Sequence, residues 1–545
     1  MFNINHRKEY LAGLTGMGGG PASLVVSGPT GATAVDFFGS GSATLDVYNF
    51  RGAYDSDSNF YCCTNESSWS AVKIKPDGTQ DWAQKFTSHT AGTIKDFDIG
   101  YNDIGVYVGY TSGSGIYLWG VDKTGALLWN KNYKLDDSTY TTLGDTLYFS
   151  GSYALTATNI RAMTTADVAI ICVGYDNIDH GGNNGPGLLF LTIKITDGTK
   201  IGWMRQYDYS YGNIKPNEGF CAYLPSGSTT GYWMLSSNIG TGSGLTNSYL
   251  YKNFNYWGTF YTANHSGTKD PTGSYGNALV ADQLGTSYPY QGQKNIYIHD
   301  MDCLKDATGS NPWANTVVVG HRTWQQTIYG NYATPAIIFD KNMTQYSWQT
   351  ISSFENLQTS GDRDNTARNV AVKDSNTYFF CGMHVPSGWT WPTSDSGSYL
   401  ARIDTSSGTS TVSWIVRFRA QDSTGAWLTG YSTQAKKVYV DTNGDKGMLC
   451  LFVNTIPLLV QFDTGSTSPA TGTYNLSTST LSPVAKIVVD DISSSALLST
   501  VSTTVTNGGV NWTPFTWTSS TFDTQTWSTQ SLSNSSLSYN SVSWP

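Results

Sequence analysis

Two short acidic runs hold the residues whose types and spacing come nearest to a chemical motif. Asp55-Ser56-Asp57-Ser58-Asn59 and Asp441-Thr442-Asn443-Gly444-Asp445 carry oxygen-bearing side chains at alternate positions, as calcium loops do. Such loops also need Gly at the sixth position and Glu at the twelfth; the sixth positions here are Phe60 and Lys446, so both runs read as solvated turns. The histidines His6, His89, His180, His265, His299, His321 and His384 stand singly, without a His-Glu-x-x-His pair, and there is no Gly-x-Ser-x-Gly elbow. Asp179-His180-Gly181-Gly182 and His299-Asp300-Met301-Asp302-Cys303 are the remaining local clusters, and both read as loop or strand-edge structure. The expectation is a non-enzymatic chain with no catalytic residue, no cofactor and no metal. Paired carboxylates across a cleft, the requirement of a propeller glycosidase, do not reveal themselves in a single sequence.

Aromatic side chains are the more informative candidates for binding. Trp389 and Trp391 in Ser387-Gly388-Trp389-Thr390-Trp391-Pro392, Tyr288 and Tyr290 in Tyr288-Pro289-Tyr290, and Trp324 in His321-Arg322-Thr323-Trp324 sit beside turn formers. Rings so placed stack on sugars or anchor protein interfaces, and the alternative is packing within their own loops. Residues 494–545 are rich in Ser and Thr, with Trp512, Trp517, Trp527 and Trp544 at intervals. Alternation such as Thr516-Trp517-Thr518 predicts extended strands with one apolar face, which order against another chain.

The elements that must position these residues follow from composition. Aromatics are 14% of the 545 residues and Gly numbers 57, the mixture of strand formers and turn formers expected of many short strands. Charged residues are 13% and the net charge is −9, which argues against a nucleic-acid partner. No apolar run approaches the roughly 18 residues of a spanning helix, so no membrane insertion is expected. Cys62, Cys63, Cys172, Cys221, Cys303, Cys381 and Cys450 are odd in number and mostly widely spaced, several of them inside apolar runs. They read as buried reduced thiols of a chain made in a reducing cytosol, and the opening residues show no export signal.

One unit recurs: an apolar strand ending in a small residue, a second apolar strand, a Gly/Asp turn, and a strand carrying Trp. Its sharpest copy runs from Asp103 through Asp122-Lys123-Thr124-Gly125 to Trp129. Other copies end at Trp82, Trp203, Trp257, Trp348 and Trp414, and a seventh, Met448 to Gly465, has no closing Trp. From Trp82 to Trp414 the spacing averages about 66 residues, longer than the roughly 40–50 of a typical blade. The excess lies in insertions such as 176–187, 262–294 and 384–397. Four-stranded units stacked about an axis bury both faces of every sheet, which predicts an all-β fold: a β-propeller of about seven four-stranded blades with N- and C-terminal extensions. A two-sheet sandwich array is the rival. The predicted organisation is a Gly-rich attachment segment over 1–40, the propeller over 41–493, and a Ser/Thr/Trp-rich extension over 494–545.

The Asp122-to-Trp129 element resembles the tryptophan-docking repeat of quinoprotein-like propellers, and Cys62-Cys63 is similar to the vicinal cysteines of quinone-dependent alcohol dehydrogenases. Neighbouring residues on a strand face opposite ways, however, so the pair need not form one site. The repeat, the uncleaved start and the Trp-dotted tail together resemble propeller-containing virion proteins of tailed bacteriophages. That resemblance implies a structural protein in a tail or capsid appendage, located in the virion. Its partners would be other virion proteins, with a host-surface glycan and a second copy of the chain as further candidates. Trp512, Trp517, Trp527 and Trp544 would then be docking residues. A carbohydrate-active propeller enzyme and a glycan-binding lectin or adhesin are the alternatives.

Overall fold

The structure is a computed structural model. It describes residues 25–29, 50–64, 69–77, 80–86, 93–111, 115–135, 147–148, 155–180, 183–207, 213–240, 252–261, 277–280, 294–306, 316–326, 330–339, 350–354, 359–360, 366–384, 397–405, 410–428, 433–453, 456–469, 471–475, 483–495, 498–502, 506–507, 522–526, 532–534 and 539–543.

These residues form seven antiparallel sheets, numbered I to VII here by their inner strands Arg51–Tyr54, Thr93–Ile99, Leu155–Ala162, Asn213–Tyr223, Lys294–Cys303, Thr366–Val372 and Thr433–Val440. Each inner strand lies against the next, and that of sheet VII returns to that of sheet I, so the ring is closed. The fold is a β-propeller. The copies of the repeat map onto sheets as their second and later strands, with two departures: Trp257 lies on the third strand of sheet IV, Lys252–Tyr261, and not on a closing fourth strand, and Trp348 lies outside the described residues. Copy two, for example, is Gly105–Thr111, Gly115–Val121 and Leu127–Leu135 of sheet II.

Apolar layers between neighbouring sheets make the core. Cys62 packs with Val72, Cys450 and Leu459 between sheets I and VII, whereas Cys63 packs with Ala71, Phe97 and Trp119 between sheets I and II. The adjacent cysteines therefore serve opposite faces of one strand, as the period of two requires. Burial raises both thiols well above the ordinary range.

Three of the tryptophans tie a sheet to the next. Trp82 of sheet I donates its indole N–H to the Lys123 carbonyl in a turn of sheet II (3.1 Å), and Trp129 of sheet II donates to Ile195 after the third strand of sheet III (2.8 Å). Trp414 of sheet VI does the same to Ser466 after the third strand of sheet VII (3.1 Å). The strand position facing two of these rings is a cation that reaches the same turn. Lys73 faces Trp82 and also donates to Lys123 O, and Arg402 faces Trp414 and also donates to Ser466 O. Facing Trp129 is Gly120, where a Cβ would come within 2.2 Å of the indole nitrogen.

The receiving turn carries a second small residue for the same reason. Gly198 has φ +67°, and a Cβ there would lie 2.6 Å from the Trp129 ring. Gly198→Ala is expected to lower stability by about 2–3 kcal/mol, from left-handed strain plus overpacking. Gly227→Ala, also left-handed (φ +74°) but with nothing within 4 Å, is expected to lose only the smaller conformational part. Urea midpoints of the two variants measure the difference.

The flanks differ from the sequence expectation. Val25–Pro29, assigned above to an attachment segment, is the fourth strand of sheet VII, paired with Ile456–Asp463. The seventh repeat has no closing Trp because its last strand comes from the other end of the chain. The Ser/Thr-rich tail was expected to order against another chain, yet its strands pair with this chain's own outer edges. Just before the tail, Lys486–Asp491 adds to sheet VI; within it, Leu498–Ser502 adds to V and Thr506–Asn507 to IV. Phe522–Thr526 then adds to II, Leu532–Asn534 to I and Tyr539–Ser543 to VII. The tail thus runs round the ring against the order of the blades, as a belt. Backbone N–H and C=O groups on an outer strand need partners, and a strand of the same chain supplies them at high local concentration.

Candidate functional site

The axial channel gathers the polar residues that the core excludes. Its cavity has a volume of about 850 Å³ and is lined by inner strands of all seven sheets and by the turns that follow several of them. Nine aspartates against five lysines and arginines face it, a balance that repels phosphate backbones.

Inner strands are edge strands, with outward N–H groups that no strand can pair at the axis. In this channel, side chains of the preceding sheet pair them. Asp96 and Asp98 of sheet II accept the Ile160 and Ala162 amides of sheet III, each at 2.9 Å. Asp300 and Asp302 of sheet V accept those of Val370 and Val372 in sheet VI, at 3.1 and 2.8 Å. Asn369 of sheet VI accepts from Val438 of sheet VII at 2.6 Å. A β-bulge sits immediately before three of these five positions, between Ile94 and Asp96, Ile298 and Asp300, and Ala367 and Asn369, and a fourth bulge, between Ala435 and Lys437, precedes Lys437 of sheet VII. The extra residue turns the polar side chain toward the neighbouring sheet.

Cations complete the arrangement. Arg51 pairs with Asp96 at 3.2 Å across the I–II junction. Two pairs span the lumen: Lys305 of sheet V reaches Asp98 of sheet II at 2.7 Å, and Arg161 of sheet III reaches Asp302 of sheet V at 3.4 Å. Sheet IV, which lies between III and V, offers apolar Phe220 to the lumen, so its neighbours meet over it.

Burial sets the protonation of this cluster. Desolvation raises Asp300 to about 7, against the opposing pull of Lys437 and Arg161. It also raises Asp96 and Asp302, against Arg51 and Arg161 respectively. For Arg161 burial acts downward, but Asp302, Asp98 and Asp96 outweigh it and hold the guanidinium more firmly protonated. His299, in the bulge of sheet V, is lowered to about 3 by burial and then by Arg368, Lys437 and Lys436.

The two acidic runs are turns at one end of the channel. Asp55 Oδ1 accepts the Asp57 and Asn59 amides and Oδ2 accepts the Tyr61 hydroxyl, with Lys73 3.8 Å away. In the second run Asp441 Oδ1 accepts the Asn443 amide, and the Lys373 ammonium donates to the Asp441 and Gly444 carbonyls, a lysine in the place of a cation. Among the described residues no three of His, Cys, Asp and Glu converge as a metal-binding group.

Neither a protein-family model nor a curated protein sequence matches the chain. Solved propellers resemble it distantly. The Dos1 propeller is 11% identical over 76% of this chain and 78% of its own, with a TM-score of 0.37. An α-L-arabinofuranosidase from Fusarium graminearum in complex with an iminosugar inhibitor is 10% identical over 73% of this chain and 97% of its own, at 0.30. A quinohemoprotein alcohol dehydrogenase from Comamonas testosteroni is 11% identical over 82% and 80%, also at 0.30. What those proteins bind or turn over stays with them.

Of the aromatic candidates, Trp324 alone falls within the described residues. Trp324 lies on strand Thr316–Gln326 of sheet V, at the register of Lys294 and Tyr332. Tyr288, Tyr290, Trp389, Trp391, Trp512, Trp517, Trp527 and Trp544 lie outside the described residues. The His299–Cys303 run, read from the sequence as loop or strand edge, does lie on an inner edge strand; the other inner-strand lumen residues were missed because their signal is a polar position just after a bulge. Asp96-Phe97-Asp98 and Asp300-Met301-Asp302 are the one legible trace of it, two carboxylates flanking an apolar residue at equivalent places in two repeats.

Proposed function

We propose that this chain is a non-catalytic structural protein, a rigid propeller that presents its loops to a partner, of the kind that bacteriophage particles carry as tail or capsid appendages. The observation that carries the non-catalytic part is the use made of the channel carboxylates: Asp96, Asp98, Asp300 and Asp302 each accept an amide of the next sheet, and three of them also face a paired cation. Groups committed to holding blades together are poorly placed to act on a substrate. The particle assignment rests on the sequence resemblance. Loop aromatics such as Trp389 and Trp391 would meet a neighbour or a host glycan. Mass spectrometry of gradient-purified particles from the source culture is expected to find the polypeptide at fixed stoichiometry with capsid proteins; its absence from them overturns the assignment.

A second reading, a carbohydrate-active enzyme, is favoured by Asp300, a carboxyl held near 7 at the wall of a sizeable cavity. Turnover of any oligosaccharide in a panel by the purified chain, lost in Asp300→Asn and Asp302→Asn, would favour that reading over the scaffold.

A further inference from the structure

Two buried thiols meet across the junction of sheets IV and V. Cys221 lies on inner strand Asn213–Tyr223 and Cys303 ends inner strand Lys294–Cys303, and the two residues are 1% and 4% exposed. Phe220 and Ala222 pack in the layer shared with sheet III, so Cys221 between them faces sheet V. Its Sγ lies 3.9 Å from Oγ1 of Thr316, the residue that pairs with Cys303 in the ladder of sheet V. The Cys303 thiol donates to the carbonyl of Ala222, the neighbour of Cys221, at 3.4 Å. The two thiols are also within hydrogen-bonding reach of each other, and both are free. We propose that Cys221 and Cys303 form an oxidation site, at which hydrogen peroxide converts the pair to a disulfide that staples sheet IV to sheet V.

The channel sets the access and the order of events. Cys303 is the cysteine that borders the channel cavity, whereas Cys62, Cys63, Cys172, Cys381 and Cys450 lie in the apolar layers between sheets. A peroxide the size of two water molecules reaches Cys303 from the lumen; a bulky oxidant does not. The Cys303 sulfur attacks the peroxide, the O–O bond breaks, and a sulfenic acid and one water result. The Cys221 sulfur then attacks that of Cys303, the S–O bond breaks, and a second water leaves. Two thiols and one peroxide thus give one disulfide and two waters. Burial and the neighbouring Cys221 and Asp302 keep Cys303 protonated, so the reaction is slow, suited to a lasting staple and not to a rapid sensor.

The position of Cys221 says what the bond would do. Asp98 of sheet II and Asp302 of sheet V face the following sheet in the same way, and each links two blades by accepting an amide. A disulfide supplies the corresponding link from sheet IV, in covalent form.

Two measurements test the proposal. In the first, the full chain is held in hydrogen peroxide, unfolded with an alkylating agent present, digested without reductant and mapped by mass spectrometry. Loss of two of the seven thiols is expected, in a Cys221–Cys303 bond within one chain. The urea midpoint should rise by about 1 M while the bond is intact and return with dithiothreitol. Seven intact thiols, Cys303 oxidised beyond the sulfenic acid with Cys221 still a thiol, bonds between chains, or another pairing in comparable yield overturns the proposal. In the second, Cys221→Ser and Cys303→Ser, each with a urea midpoint near that of the reduced wild type, receive the same treatment with dimedone present. Dimedone is expected to label Cys303 in the first variant and to leave Cys221 unlabelled in the second; equal labelling of the two, or labelling of Cys221 alone, overturns it.

Discussion

Asp98→Ala is expected to lower the stability of the protein by about 3 kcal/mol, more than any single truncation of an exposed acid. Asp98 joins three sheets with one carboxylate. Its Oδ2 accepts the Ala162 amide of sheet III, and its Oδ1 accepts the Lys305 ammonium of sheet V and its own neighbour's amide at Ile99. Truncation leaves the Ala162 N–H without its acceptor, and leaves Lys305 with the Ile99 carbonyl alone among these partners. An orphaned amide costs about 1–3 kcal/mol, and a stranded, largely buried ammonium adds to that. The Lys305 side chain keeps 25% of its exposure, which holds the estimate at the low end for a buried pair. Lys305→Met in the Asp98→Ala background removes the stranded charge and is expected to recover part of the loss. A double-mutant cycle by urea unfolding measures both effects. A loss under about 0.5 kcal/mol for Asp98→Ala would show that the lumen pairs do not hold the ring.

Which parts of this arrangement the sequence displays follows from how each strand is buried. The second and later strands of a blade are covered on both faces, so they appear as runs such as Val168-Ala169-Ile170-Ile171-Cys172, and their turns carry Asp and Gly at fixed offsets. Asp122 and Asp422 show the rule, each capping the amides two and four residues on within an Asp-x-Thr-Gly-Ala turn. Those features show most copies of the repeat directly; the fourth, whose Trp257 sits on a third strand, comes out one strand out of step. Inner strands hide because three conditions coincide in them: one face meets a wet channel, the clamping position must be polar, and a bulge shifts the alternation by one residue. Asn369 and Lys437 look like loop residues in the sequence for that reason. The closing strand Val25–Pro29 is short and sits in Gly-rich surroundings, and only the missing Trp of the seventh repeat hints at it. The tail's alternation is visible, but alternation specifies a sticky face without naming what it sticks to. A chain that wraps its own ring and one that docks on a neighbour have the same pattern.

The clamps also explain why so weakly charged a chain places several aspartates on the inner strands. An apolar side chain there would leave the facing amide of the next sheet unpaired, and water filling the lumen would hydrate that amide without linking two blades. A carboxylate or amide oxygen does both at once, and cations from a third sheet then limit the charge repulsion among four aspartates.

Asp300 is where that solution is least comfortable, and its replacement by Asn is expected to change the pH dependence of stability by the largest amount. The carboxyl titrates near 7 in the folded chain, against 3.8 as the ordinary value, mainly because burial disfavours its charged form. A raised carboxylate binds more protons folded than unfolded. Its contribution is therefore present at low pH, declines as pH rises through the interval from about 4 to about 7, and is constant above it. At about 1.4 kcal/mol per unit, that decline reaches about 4 kcal/mol as an upper limit. In Asp300→Asn the side-chain oxygen can still accept the Val370 amide, while the proton uptake disappears. Wild type minus variant stability is thus expected to fall by several kcal/mol between about pH 4.5 and 7.5. Asp96, Asp302, Lys437 and Arg161 face the same space in both proteins and largely cancel in the difference. Urea unfolding of the pair at about pH 4.5, 6 and 7.5 measures the slope. A difference that stays flat with pH would mean that Asp300 is ionised throughout, with Lys437 and Arg161 outweighing burial.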